Sequence, residues 1–126
     1  MDLPSKERTF EIDCVGEVTG KRYEGAFTVL CSLNIGQKHA LALEKTRLIG
    51  NYSSPTEDLI GLSVLLANLR IKIVDGPEWW KQSRGGATLE DEEVVVTLFE
   101  KIQEAERAWK DSLKQKAQKL QEPAAQ

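Results

Sequence analysis

A single histidine, His39, and two cysteines, Cys14 and Cys31, leave this sequence poor in the side chains that most catalytic and metal sites use. Neither cysteine stands in a Cys-x-x-Cys pair, so a zinc site lacks its usual ligands. One histidine restricts any imidazole-assisted mechanism to His39, which has no evident partner, and a solvated or capping role suits it better. No serine stands in a nucleophile-elbow pattern. The expectation is a protein that is not an enzyme and has no metal or cofactor, with chemistry by carboxylates alone as the one enzymatic alternative.

Excess positive charge is missing too. Seventeen Lys and Arg face twenty Asp and Glu, a net charge of −3, and the pI is about 5.3. That balance argues against a broad phosphate-neutralising surface, so no nucleic-acid partner is expected. No run approaches the ~18 apolar residues of a membrane span, and residues 1–8 lack the apolar core of a signal peptide. A cytosolic protein with no membrane partner is expected, its two thiols buried and free rather than joined. With 126 residues, 40% of them hydrophobic and 29% charged, the chain has the size and composition of one globular domain.

The most informative stretch is Leu69-Arg70-Ile71-Lys72-Ile73-Val74-Asp75-Gly76-Pro77-Glu78-Trp79-Trp80. It reads as a helix end, a short strand at 70–74, a Gly-Pro stop and two of the chain's three tryptophans. Each Trp buries roughly 150–250 Å² when packed, so the elements on either side are expected to close around this pair. Adjacent residues on regular backbone point apart, so one Trp is expected in the core and the other nearer the surface. The buried one is a core anchor, and the pair is also a candidate contact surface.

Residues 1–8 read as a flexible lead-in, followed by a single domain over 9–113, with 114–126 as the end of the last helix and a tail. From Thr9 the pattern alternates, with Phe10, Ile12 and Cys14 on one face. After Gly16 and Gly20, Tyr23, Gly25, Phe27, Val29 and Cys31 share a face. A turn centred on Thr19-Gly20 sets Phe10 opposite Val29, Ile12 opposite Phe27 and Cys14 opposite Gly25, a β-hairpin with one apolar face. Gly25 marks a bulge or a close approach by another segment.

Asn34, with Gln37 three positions on, predicts a capped helix from about Ile35 to Ile49, burying Ala40, Leu41 and Leu48 and ending at Gly50. Ser54-Pro55-Thr56-Glu57 predicts a second start, with Ser54 as cap and Pro55 in the first turn. Leu59, Leu62, Leu66 and Leu69, widened by Ile60 and Leu65, make that helix the central one. The strand at 70–74 either adds an edge to the hairpin or is an extended connector. Lys81–Ala87 reads as a mobile loop, and its Gly85-Gly86 lacks the context of a phosphate cradle.

Thr88 with Asp91 predicts a capping box for the last helix. Glu90–Glu93 crowd its first turn, where the helix dipole favours them and where they diverge too much to hold an ion. Val95, Phe99, Ile102, Trp109, Leu113, Ala117 and Leu120 form its apolar stripe, with Glu106–Lys110 and Arg107–Asp111 as outer pairs. At ~1.5 Å per residue the helix is about 45 Å long, more than a domain of roughly 14 Å radius of gyration covers. The part from Trp109 onward is expected to protrude. The expected fold is therefore α+β, an N-terminal hairpin packed on three helices with the last long. Trp79, Trp80, Phe99, Trp109 and Leu113 are its protein-binding candidates.

Gly20-x-x-Tyr23-x-Gly25-x-Phe27, Leu33-x-Ile35-x-Gln37, the 70–80 stretch and the acidic start of a Glu/Lys-rich final helix resemble small morphogenesis proteins of tailed bacteriophages. The resemblance spans about residues 9–115 and is closest in kind to tail assembly chaperones. It implies a factor that binds tail-tube or tape-measure subunits in the host cytoplasm and holds them soluble until they polymerise. Other phage structural proteins are the partners it implies; a second copy of the chain is a further expected partner, independent of the resemblance. The alternatives are a component kept in the virion, as part of capsid, neck, tail or baseplate, and an inhibitor of a host protein.

Overall fold

The computed structural model describes residues 6–50, 53–54 and 56–121, the side chains of 119–121 excepted. Among these described residues the fold is α+β, a three-stranded antiparallel sheet with four helices, the last of them long. Its order is β1 (Glu7–Val15), β2 (Arg22–Leu30), α1 (Ile35–Gly50), α2 (Glu57–Lys72), β3 (Ile73–Asp75), α3 (Glu78–Lys81) and α4 (Glu92–Gln121). The first strand starts at Glu7, two residues earlier than the alternation from Thr9 indicates.

The hairpin faces are those the alternation predicts, but the register differs by two. Phe10 pairs with Phe27, Ile12 with Gly25 and Cys14 with Tyr23. A shift of two leaves every side chain on its face, so the apolar pattern cannot detect it. The loop is centred on Val18-Thr19, with Gly16 N–H donating to the Lys21 carbonyl at 2.8 Å.

Gly25 is where another segment approaches. Its φ is +149°, and an added Cβ would lie 2.8 Å from the Pro77 ring. Glycine is thus required twice over, by backbone conformation and by space. With Pro77 seated there, Trp79 and Trp80 fall against the hairpin. Trp79 packs edge-on to Tyr23 and Phe27 at 5.1 and 5.6 Å between ring centres, and Trp80 meets Phe27 at 6.1 Å.

β3 is an edge strand, joined to β2 through Thr28–Asp75 and Val29–Ile73. It is shorter than the 70–74 reading because α2 continues to Lys72. Ile71 favours a strand by propensity, but the helix there orients two cations towards carboxylates on its neighbours. Arg70 Nη1 reaches Glu44 of α1 at 2.7 Å, and Lys72 Nζ reaches Glu106 of α4 at 2.8 Å. Tertiary partners override a weak local preference. Glu106 is therefore engaged with Lys72, not with the Lys110 expected from helical spacing.

The two forward caps divide. Asn34 and Gln37 exchange the predicted bonds, Gln37 N–H to Asn34 Oδ1 at 2.8 Å and Asn34 N–H to Gln37 Oε1 at 2.9 Å. At α2 the cap is Thr56, which accepts from Leu59 N–H at 3.3 Å. Ser54 lies two residues outside, and Pro55 falls outside the described residues. Across α1 no residue is fully buried, Ala40, Leu41 and Leu48 included. Its packing is mainly on α2.

The segment 82–88 is an ordered turn, where a mobile loop was expected. Ser83 is buried, its hydroxyl donating to the Trp80 carbonyl at 2.6 Å and accepting from Gly86 N–H at 3.0 Å. Arg70 Nε donates to the Gly85 carbonyl at 3.0 Å from the other side. Asp91 likewise departs from its predicted capping role. Its carboxylate turns away from Thr88 into the hairpin loop, accepting from Val18 N–H at 2.8 Å, Thr19 N–H at 3.2 Å, the Thr19 hydroxyl, and Tyr23 OH at 2.7 Å. These bonds fix the start of α4 to the hairpin. Phe27, Val29, Leu69, Val94, Leu98 and Ile102, all fully buried, form the core between them.

Candidate functional site

The five protein-binding candidates separate into two groups. Trp80 is 8% exposed and belongs to the core cluster, while Trp79 and Phe99 pack against it. Trp79 also donates from Nε1 to the Glu24 carbonyl at 2.9 Å. A contact role for Trp80 therefore has no surface to act through. The Gly-Pro stop turns both indoles onto the hairpin, and no such turn is readable from the pair itself. Trp79 and Phe99 retain only partial exposure.

Trp109 and Leu113 stand apart from that core. Both are half-buried, one helical turn from each other along α4. Trp109 lines a cleft of about 330 Å³ together with Leu33, Leu41, Lys38, Lys72 and Lys110. The β2–α1 connection, α1, the end of α2 and α4 each contribute to it. Beyond Leu113 the helix runs on, Ala117 being exposed, while the side chain of Leu120 lies outside the described residues. The partly protruding helix of the sequence reading thus begins as a cleft wall at Trp109 and becomes an open rod after Leu113.

Cys31 forms part of the same cleft. Burial pushes its thiol above the ordinary cysteine value; the nearby cations Arg8 and Lys72 oppose that and Glu106 adds to it. The thiol is therefore held protonated, unlike a reactive nucleophile. Cys14 is raised in the same direction, by burial and then by Asp13, Glu93 and Asp91. Both cysteines are free.

Three carboxylates, Glu11, Asp13 and Glu24, line an open cleft of about 470 Å³ on the hairpin, where Arg22 pairs with Asp13 at 2.7 Å and Glu24 at 3.4 Å; a further cleft of about 270 Å³ is walled by Tyr23, Trp79, Thr88 and Glu90 beside Asp91. Asp91 is held down to about 2, first by the Thr19 hydroxyl against the cost of burial, then by Tyr23 and the Val18 and Thr19 amides. Its acceptor capacity is taken by these four bonds, so it is a structural anion and not a base poised to titrate near neutrality. Among the described residues no three His, Cys, Asp or Glu side chains gather as a metal site, and no helix is long and apolar enough to cross a membrane.

Lys38, Leu33, Leu41 and Lys72 escaped the sequence reading as site residues. Each belongs to an unremarkable local pattern, and their convergence depends on how α1 and α4 pack. Only Trp109 carried a signal, as a large aromatic placed beyond the length a small core can cover. No family model, curated protein or solved structure matches the chain, so its functional reading rests on its own residues and their arrangement.

Proposed function

We propose that this protein is a non-enzymatic binding protein that engages another polypeptide along the second half of α4, from the cleft at Trp109 outward. The observation that carries the reading is the position of Trp109 and Leu113, half-open apolar side chains on a 30-residue helix that extends past the fold supporting it. Tryptophan is enriched among the residues that carry most of the binding energy of protein interfaces. The resemblance to tail assembly chaperones supports a finer version, in which the bound polypeptide is a tail-tube or tape-measure subunit kept soluble in the host cytoplasm before assembly. Retention in the finished virion is the alternative, since a projecting helix serves a permanent joint equally well.

The test is co-expression with phage tail-tube and tape-measure subunits, followed by pull-down. Trp109→Gln with Leu113→Gln is expected to abolish capture while leaving a cooperative melting transition. Undiminished capture, or loss of the folded transition itself, would reject α4 as the contact surface. Mass spectrometry of purified particles separates the two versions: a stoichiometric copy number rejects the chaperone in favour of a structural component.

A further inference from the structure

The cleft at Trp109 differs in charge from the chain around it. The protein carries a net −3, yet Lys38, Lys72 and Lys110 line this cleft against a single carboxylate, Glu106. Glu106 is already committed to Lys72 at 2.8 Å. Lys38 and Lys110 are exposed and have no ion pair among the described residues. Arg8 adds a further positive charge close enough to act on Cys31 in the cleft wall.

Hydrogen bonding points the same way. Among the described residues, the buried side-chain polar atoms without a partner are Arg8 Nε and Trp109 Nε1. Both are N–H donors; Trp109 lines this cleft, and Arg8 is near enough to act on Cys31 in its wall. A buried donor without an acceptor is costly, so such groups call for an explanation. No acceptor among the described residues reaches either donor. The floor of the cleft, made by Leu33, Leu41 and the indole, is apolar, and the apolar line continues along α4 to Leu113.

We infer that the cleft binds an acidic, apolar stretch of a partner polypeptide, whose carboxylates meet Lys38 and Lys110 while its apolar side chains rest on Leu33, Leu41 and Trp109. The inference rests on the binding role proposed above and supplies the chemistry of what is bound. A peptide suits the site better than a small anion because the apolar surface runs past the cleft. Because Trp109 is half-open while its nitrogen is covered, binding as inferred includes a turn of the indole that brings the N–H to the incoming carboxylate. Charge attraction of this kind is sensitive to salt.

The probe is a short fluorescent peptide of alternating Glu and Leu, followed by anisotropy, with Gln/Leu and Lys/Leu peptides as controls. The Glu/Leu peptide is expected to bind about tenfold or more tightly than Gln/Leu, the scale of one or two charge-assisted bonds. Lys38→Gln with Lys110→Gln is expected to erase that preference; both positions are exposed, so the fold is kept. Trp109→Phe, which removes the N–H donor and part of the apolar floor, is expected to weaken binding of both Glu/Leu and Gln/Leu, and of the acidic peptide several-fold more. Equal binding of Glu/Leu and Gln/Leu overturns the inference while sparing α4 as an apolar contact surface. Displacement of the peptide by succinate alone reassigns the cleft to small carboxylates, and tighter binding of oligo-dT than of peptide reassigns it to nucleic acid; either overturns it. Binding of none of the peptides does so as well, whereas undiminished partner capture by the α4 variants defeats the broader reading.

Discussion

Tyr23 OH donates to Asp91 Oδ2 at 2.7 Å, joining residues 68 positions apart and tying the second strand to the start of the last helix. The two hairpin strands hold each other locally, but α4 needs a fixed entry angle to bring Val94, Leu98 and Ile102 onto the sheet. A buried carboxylate with four donors supplies that angle, because each bond has a direction that apolar packing lacks.

This link predicts an acid-sensitive stability. Asp91 is held at about 2, below the ordinary carboxylate value of about 4. A depressed folded value stabilises the native state above the unfolded value and loses that contribution as pH falls through the folded one. Denaturant midpoints are expected to fall between about pH 4 and 2. In Asp91→Asn the fall is expected to be shallower and the midpoint at pH 7 lower. Some slope remains, because Glu44 is likewise held near 2 by Arg47 and then Arg70. An Asp91→Asn protein with the wild-type pH profile would show that the carboxylate contributes nothing as an anion.

Gly25 offers a sharper backbone prediction. Any side chain there meets both a φ of +149° and the Pro77 ring, so Gly25→Ala is expected to cost about 1–3 kcal/mol. Urea unfolding checks it. An unchanged midpoint would mean that Pro77 and the strand separate at little cost, and the placement of the two tryptophans would need another cause.

The cap of α2 distinguishes two serviceable hydroxyls by position alone. Thr56→Ala is expected to lower stability by about 0.5–2 kcal/mol. Ser54→Ala is expected to change it by less than about 0.5 kcal/mol. The reverse order, read from thermal melts, would return the helix start to the Ser-Pro signal.

These residues also show what the sequence could and could not reveal. Period-two alternation assigned Phe10, Ile12, Tyr23 and Phe27 to one face because burial acts on each side chain separately. The pairing register stayed hidden, since a shift of two satisfies the same pattern. Asn34 was legible because its capping partner lies three residues away, whereas Asp91 was not, because its partners lie 68 to 73 residues away. The cleft at Trp109 was invisible for the same reason, being assembled from four segments that meet only in three dimensions.

Arg70 gives the last prediction, because it joins three segments that share little else. Its guanidinium reaches Glu44 of α1 at 2.7 Å and the Gly85 carbonyl at 3.0 Å, with the Arg84 carbonyl at 3.4 Å. A planar fork with several donors satisfies these acceptors together, and a lysine ammonium at the same site satisfies only one direction well. Since α1 contributes no fully buried residue, its attachment depends more than usual on such a contact. Arg70→Lys is therefore expected to lose about 1.5–3 kcal/mol, the scale of hydrogen bonds to a charged group. Hydrogen exchange is expected to quicken in α1 and in 82–88 together while β1 and β2 keep their protection. Faster exchange confined to either segment alone would mean that Arg70 serves one neighbour and merely touches the other.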